Sequence, residues 1–122
     1  MSLRDKILAS DDIASELVEI PEWDVILEVR GMTGGDRSKI LENAATNEGN
    51  ISVGTVYVDT VIASTYDPDT GERVFAESDK PALMEKSAAA IDRLATVGMR
   101  LSAMDQNGVD DAKKGFPEET VS

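Results

Sequence analysis

The run Val25-Ile26-Leu27-Glu28-Val29-Arg30 constrains the fold more than any other stretch of this chain. It is short, rich in branched and apolar residues, and alternates. Val25, Leu27 and Val29 point to one face, Ile26, Glu28 and Arg30 to the other. Just upstream, Ala14-Ser15-Glu16-Leu17-Val18-Glu19-Ile20 also reads as a strand and is interrupted by Pro21. Proline cannot donate to a sheet ladder, so a strand at 15–20 ends there or lies at an edge. The two segments 15–20 and 24–31 therefore form a hairpin turned at Pro21-Glu22, with Gly31 ending its second strand. One face of that hairpin is apolar and must be covered.

The remaining sequence offers mostly helices as cover. Residues 2–10 read as a short helix capped by Ser2, with Leu3, Ile7 and Leu8 at helical spacing. Thr33-Gly34-Gly35-Asp36 reads as a helix start, with Thr33 as N-cap and an acid where the helix dipole favours one. A helix over about 35–46 would bury Ile40, Leu41, Ala44 and Ala45, and 47–54 is loop by composition. Residues 55–66 carry two signals. Alternation and β-branching argue for a strand, while Val58, Val61, Ile62 and Thr65 make a helical face.

Asp67-Pro68-Asp69-Thr70-Gly71 is a turn, followed by a short strand at 73–76. Ser78-Asp79 caps a helix at 79–86, with Pro81 in its first turn. Ser87 caps a second helix at 87–104, or the two run together through a kink. Met84, Ala88, Ile91, Leu94, Leu101 and Met104 form one stripe there, and Gly98 offers a point of close approach. Beyond Met104 the sequence has almost no apolar content, so 105–122 reads as a disordered acidic tail. The expectation is one α+β domain over 1–104: a small antiparallel hairpin sheet packed with three to four helices, the C-terminal one long.

Composition agrees with this plan. The chain has 122 residues, within the usual size of one domain. Its only aromatic residues are Trp23, Tyr57, Tyr66, Phe75 and Phe116, so the core must be built of Leu, Ile, Val, Ala and Met. Twenty-four acidic residues against twelve basic give a net charge of −12. Such a field repels phosphate backbones and argues against nucleic-acid binding. The acids are dispersed rather than regularly spaced, which argues against a nucleic-acid mimic. Neither Cys nor His occurs. That removes disulfides, thiolate metal sites and the commonest general base. No stretch approaches a membrane span, and the N-terminus lacks the apolar core of a signal peptide.

A search for chemistry returns little. Asp67-x-Asp69-x-Gly71 is short of a calcium loop, because the Gly stands fifth rather than sixth and the twelfth residue is Ser78 rather than Glu. Thr33-Gly-Gly-Asp36 lacks the Gly-Lys-Ser/Thr of a phosphate loop. Paired carboxylates at Asp11-Asp12, Glu16/Glu19 and Asp110-Asp111 sit in polar settings. The residues point to a binding protein rather than an enzyme, with no catalytic, cofactor or metal site. As contact residues, Trp23, Met32, Met99 and Met104 are the candidates, because Trp anchors interfaces and Met adapts to them. Each is also a plausible core residue.

The ordered set of motifs resembles a known family. It comprises Pro21-Glu22-Trp23, then Val29-Arg30-Gly31-Met32-Thr33-Gly34, then a charged helix beginning Asp36-Arg37. Asp67 to Phe75 follows, then a helix running Leu83 to Leu94, and finally Arg100-Leu101-Ser102. Over roughly residues 3–114 the chain looks like the tail assembly chaperones of long-tailed bacteriophages and their prophages. The resemblance favours the helix at 55–66. It implies a host-cytoplasmic protein, absent from the finished virion, that binds the tape measure protein and keeps it soluble while the tail tube polymerises around it. It also implies a longer frameshifted form that engages the tail tube protein. Lys113-Lys114-Gly115-Phe116 would permit a slippery heptamer with suitable codons. Weak self-association is a further expectation. The rival reading is a minor tail or connector protein that stays in the virion.

Overall fold

The computed structural model of the chain describes residues 2–45 and 53–104. Its elements run α1 (Leu3–Ala9), β1 (Ser15–Ile20), β2 (Val25–Arg30), α2 (Gly34–Ala44), α3 (Val53–Ser64), β3 (Thr65–Tyr66), α4 (Lys80–Leu83) and α5 (Ala88–Leu101). This is an α+β fold, with a three-stranded antiparallel sheet in the order β1-β2-β3. The expected hairpin is present, with Ser15 opposite Arg30 and Ile20 opposite Val25. Its turn is a 3-10 turn at Pro21–Trp23, closed by Asp24 in the left-handed region at φ 54°. Short polar Asp tolerates that conformation better than a branched residue would.

The alternation of the hairpin decides its faces. Val18, Ile20, Leu27 and Val29 are buried, while Leu17 and Ile26 face outward. Helix α5 lies on the inner face, and α3 packs against α5. The main core joins Val18, Ile20, Leu27 and Val29 to residues of α3, α4 and α5, among them Val61, Leu83, Ile91 and Leu94. A smaller core gathers Met32, Ile40, Ala44 and Val56 where α2 meets α3.

Local chemistry sets the helix ends. Ser2 and Asp5 form a reciprocal capping box on α1. The Thr33 hydroxyl accepts the Asp36 amide at 3.1 Å, and the Ser87 hydroxyl accepts the Ala90 amide at 3.3 Å. Gly98 is buried where α3 and α5 cross. A Cβ there would stand 3.0 Å from Thr60 Cγ2 and 3.1 Å from Ser64 Oγ, so the glycine permits the close approach expected of it. At the C-terminal end of α5, the Met32 amide donates to Ser102 Oγ at 2.7 Å. That hydroxyl in turn donates to the Gly98 carbonyl at 2.6 Å.

Several expectations are corrected. Segment 55–66 is helix to Ser64 and then strand at Thr65–Tyr66, so both of its signals have a physical origin. Residues 73–76 form no strand: Arg73 makes an isolated bridge to Tyr66 and the Val74 amide donates to the Thr65 carbonyl at 3.1 Å, and pairing ends there because β3 offers only two residues. The helix expected at 79–86 is a 3-10 turn at Glu77–Asp79 followed by four-residue α4. Asp79 caps the earlier turn, accepting the Ala76 amide at 2.8 Å, and gives α4 no side-chain cap.

Helix α5 starts at Ala88 and stops at Leu101, short of the expected 104, because Ala103 turns left-handed at φ 59°. Leu41, Ala45, Met84 and Ala88 are exposed rather than buried. The break between α4 and α5 rotates the stripe so that Leu83, Ala90 and Ala95 are buried in their stead. The loop expected at 47–54 is helical at 53–54 and otherwise lies outside the described residues, as does the tail expected at 105–122.

Candidate protein-binding surfaces

After the turn at 67–71 the chain runs back across α2 and α3 as an irregular segment. The turn is tied internally, since Asp67 Oδ1 accepts the amides of Asp69 and Thr70 at 2.8 and 3.4 Å. Gly71 supplies its left-handed residue at φ 76°. The Asp67 carboxylate is thus spent on backbone amides, as an Asx turn requires. Ion pairs Arg73–Asp36 at 3.2 Å and Lys39–Glu77 at 3.5 Å then strap the segment to α2. The Arg73 hydrogen bond to the Tyr66 hydroxyl, ahead of its pairing with Asp36, holds the guanidinium above its ordinary pKa.

This segment creates a groove. One hollow of about 470 Å³ lies between α2, α3 and residues 73–79, with Ile40, Ile62 and Phe75 among its lining residues. Asp59 lies on its wall, paired with Lys80 at 3.0 Å through one carboxylate oxygen, while the other oxygen has no hydrogen-bond partner. A second hollow, also about 470 Å³, is lined by Trp23, Ala82, Leu83 and Lys86. Both hollows are lined by Val74, Phe75 and Asp79, so they adjoin at Phe75 as a trough of mixed lining, with Ile40, Ile62 and Leu83 on its floor and Asp36, Lys39, Arg73 and Glu77 around the first hollow.

Two further apolar surfaces stand apart from it. On the outer sheet face Leu17 and Ile26 are 65% and 53% exposed. On α1, Leu3, Ile7 and Leu8 are all more than half exposed, and the helix buries no residue.

Of the sequence candidates, Met32, Met99 and Met104 come together. Met32 is buried in the smaller core, and Met99 and Met104 pack on it half-buried, joined by a Met104 amide to Met99 carbonyl bond of 2.7 Å. Trp23 is separate, half-buried on the main core and lining the second hollow. Sequence reasoning missed Phe75 and the outward pair Leu17 and Ile26. The signal for the pair was present, because each strand carries a large apolar residue in its polar phase.

Among the described residues no cluster of three or more acidic residues is arranged to hold a metal, and none of their helices is long and apolar enough to cross a membrane. Glu22 is held below the usual carboxylate range by its hydrogen bonds to Arg93, at 2.7 and 3.1 Å, which clamp the hairpin turn to α5.

No family model and no curated protein matches the chain. Among solved structures it is similar to the tail assembly chaperone of bacteriophage HK97. The TM-score is 0.55 and the identity 22%, over 82% of this chain and 98% of that one. The chain therefore has a tail assembly chaperone fold.

Proposed function

We propose that this protein is a tail assembly chaperone of a long-tailed phage or prophage. It works without catalysis and binds the tape measure protein. The observation that supports this reading best is the likeness in fold to the HK97 chaperone along nearly all of that protein's length. The trough past Phe75 supplies a surface of suitable chemistry. Amphipathic helices dock by laying an apolar stripe into such a groove, and a long helical tape measure presents stripes in series. Many copies along one rod gain from effective concentration even when each contact is weak. A net charge of −12 keeps the coated complex soluble. The protein acts in the host cytoplasm, is absent from the mature virion, and meets the tail tube protein through a longer frameshifted product.

Co-expression with the tape measure protein of the same phage tests the central claim. The tape measure should become soluble and co-purify. Val74, 40% exposed and lining both hollows, is the residue to change. Val74→Asp should leave the fold intact and abolish solubilisation. A tape measure equally insoluble with and without the chain would refute the proposal, and one fully rescued by Val74→Asp would refute the trough. Mass spectrometry of purified virions should find no peptide of this chain.

A further inference from the structure

From Arg73 to Lys80 no residue is buried, and only Phe75, Asp79 and Lys80 are half-buried. The backbone of this stretch bonds to Thr65 at one end and otherwise to itself. The Val74 amide donates to the Thr65 carbonyl at 3.1 Å. Beyond it the Ala76 amide donates to Asp79 Oδ2 at 2.8 Å, and the Asp79 amide to the Ala76 carbonyl at 2.9 Å. Residues 76–79 are therefore a self-capped turn, carried between Val74 and α4.

Side chains tie this turn to the helices. Arg73–Asp36 pins one end at 3.2 Å and Lys80–Asp59 the other at 3.0 Å. Between them stand the half-buried Phe75, packed on the main core, and the pair Lys39–Glu77 at 3.5 Å. Lys39 and Glu77 are 67% and 78% exposed. A pair so exposed holds weakly and is screened by salt.

The closed arrangement also carries a penalty beneath it. The first hollow lies between residues 73–79 and the helices, with Ile40 and Ile62 on its floor, each 5% exposed. Asp59 on its wall is the only charged residue of α3, and its side chain is 15% exposed. Lys80 serves one carboxylate oxygen, and the other is buried without a donor. A buried acceptor left unpaired destabilises the state that buries it.

We infer that residues 75–79 are a lid, hinged at Val74 and at α4, which lifts from α2 and α3 while the rest of the fold stays closed. Local opening favours segments with few buried contacts. Lifting breaks the pair at Glu77, withdraws Phe75, lets water reach Asp59 and merges the two hollows into one groove over Ile40, Ile62 and Leu83. Salt favours the open state by screening the Glu77 pair. That a partner helix fills the opened groove rests on the proposed function; the opening itself does not.

Thiol labelling of the full chain, without partner, tests it. The chain has no Cys, so one introduced thiol is unique. Ile62→Cys places it under the lid. Val61→Cys, next along α3, is fully buried in the main core, lines neither hollow and reports global unfolding. Under native conditions iodoacetamide should modify Ile62→Cys at least tenfold faster than Val61→Cys, each rate scaled to that variant's stability in urea. Salt should raise the first rate. Glu77→Gln should raise it roughly twofold to fivefold, as suits one exposed pair, and leave the Val61→Cys rate unchanged. Ile40→Cys, on the α2 side of the hollow, gives a second reporter should Ile62→Cys fold poorly.

Scaled rates that are equal at the two α3 positions overturn the inference, because opening is then global. A fast rate under the lid that ignores both salt and Glu77→Gln overturns it too, because the thiol is then accessible with the lid closed. Solubility of a co-expressed tape measure does not enter these rates, so this inference and the proposed function can fail separately.

Discussion

Replacing Gly31 by Ala adds one methyl group where the end of β2 passes the end of α5. A Cβ at that position would lie 2.8 Å from the backbone oxygen of Leu101 and 3.3 Å from its carbonyl carbon. A comfortable C···O contact is about 3.3–3.6 Å, so the two segments must part by about 0.5 Å. The obstacle is backbone, so no side chain can swing aside. The bond from the Met32 amide to Ser102 Oγ, 2.7 Å long, sits at the same junction and would stretch with it.

Overpacking of this kind costs roughly 1–3 kcal/mol and a strained hydrogen bond up to about 1 more. The reduced entropy of the unfolded chain returns about 0.4–1 kcal/mol. The net expectation is a loss of about 1–3 kcal/mol, or a fall in Tm of roughly 4–12 °C at this size. Gly34→Ala is the matched control, because a Cβ there meets nothing within 4 Å in the first turn of α2. It should be neutral or stabilising by up to about 1 kcal/mol. Thermal unfolding of both variants beside the wild type decides the matter. If Gly31→Ala melts at or above the wild type, the close approach of β2 to α5 is wrong.

Two other outcomes follow from the packing and the ion pairs. Leu94 is fully buried between sheet and helices, so Leu94→Ala should cost about 2–5 kcal/mol, read as a lower urea midpoint with an unchanged slope. Glu22 titrates below its ordinary 4.5 because Arg93 favours its charged form. A depressed carboxylate contributes stability above its unfolded pKa and loses it as pH falls through the folded value. Stability curves of Glu22→Gln and wild type should therefore differ at neutral pH and converge below about pH 4.5. A gap that stays constant through that range would show that the clamp does not titrate.

The alternating hairpin strands, the turn at 67–71 and the helix starts capped by Ser2, Thr33 and Ser87 were legible in the sequence, because each depends on neighbours a few positions apart. A period of two assigns the faces of β1 and β2, and Thr33 or Ser87 caps a helix wherever that helix later goes. Segment 55–66 resisted the same reasoning for a tertiary cause. Helix α3 packs on α2, α4 and α5, so Val56, Val58, Thr60, Val61, Ile62 and Ser64 are all buried and no polar face remains to mark a helical period.

The trough past Phe75 was hidden for a related reason, since it exists only where residues 73–79 are strapped over α2 by ion pairs across long sequence separations. The break between α4 and α5 likewise turned Met84 outward and Leu83 inward, a rotation that spacing alone does not carry. Sequence determined which residues can cap, turn and alternate. Packing among distant segments decided which apolar residues became core and which, as in α1 and on the outer sheet face, were left exposed.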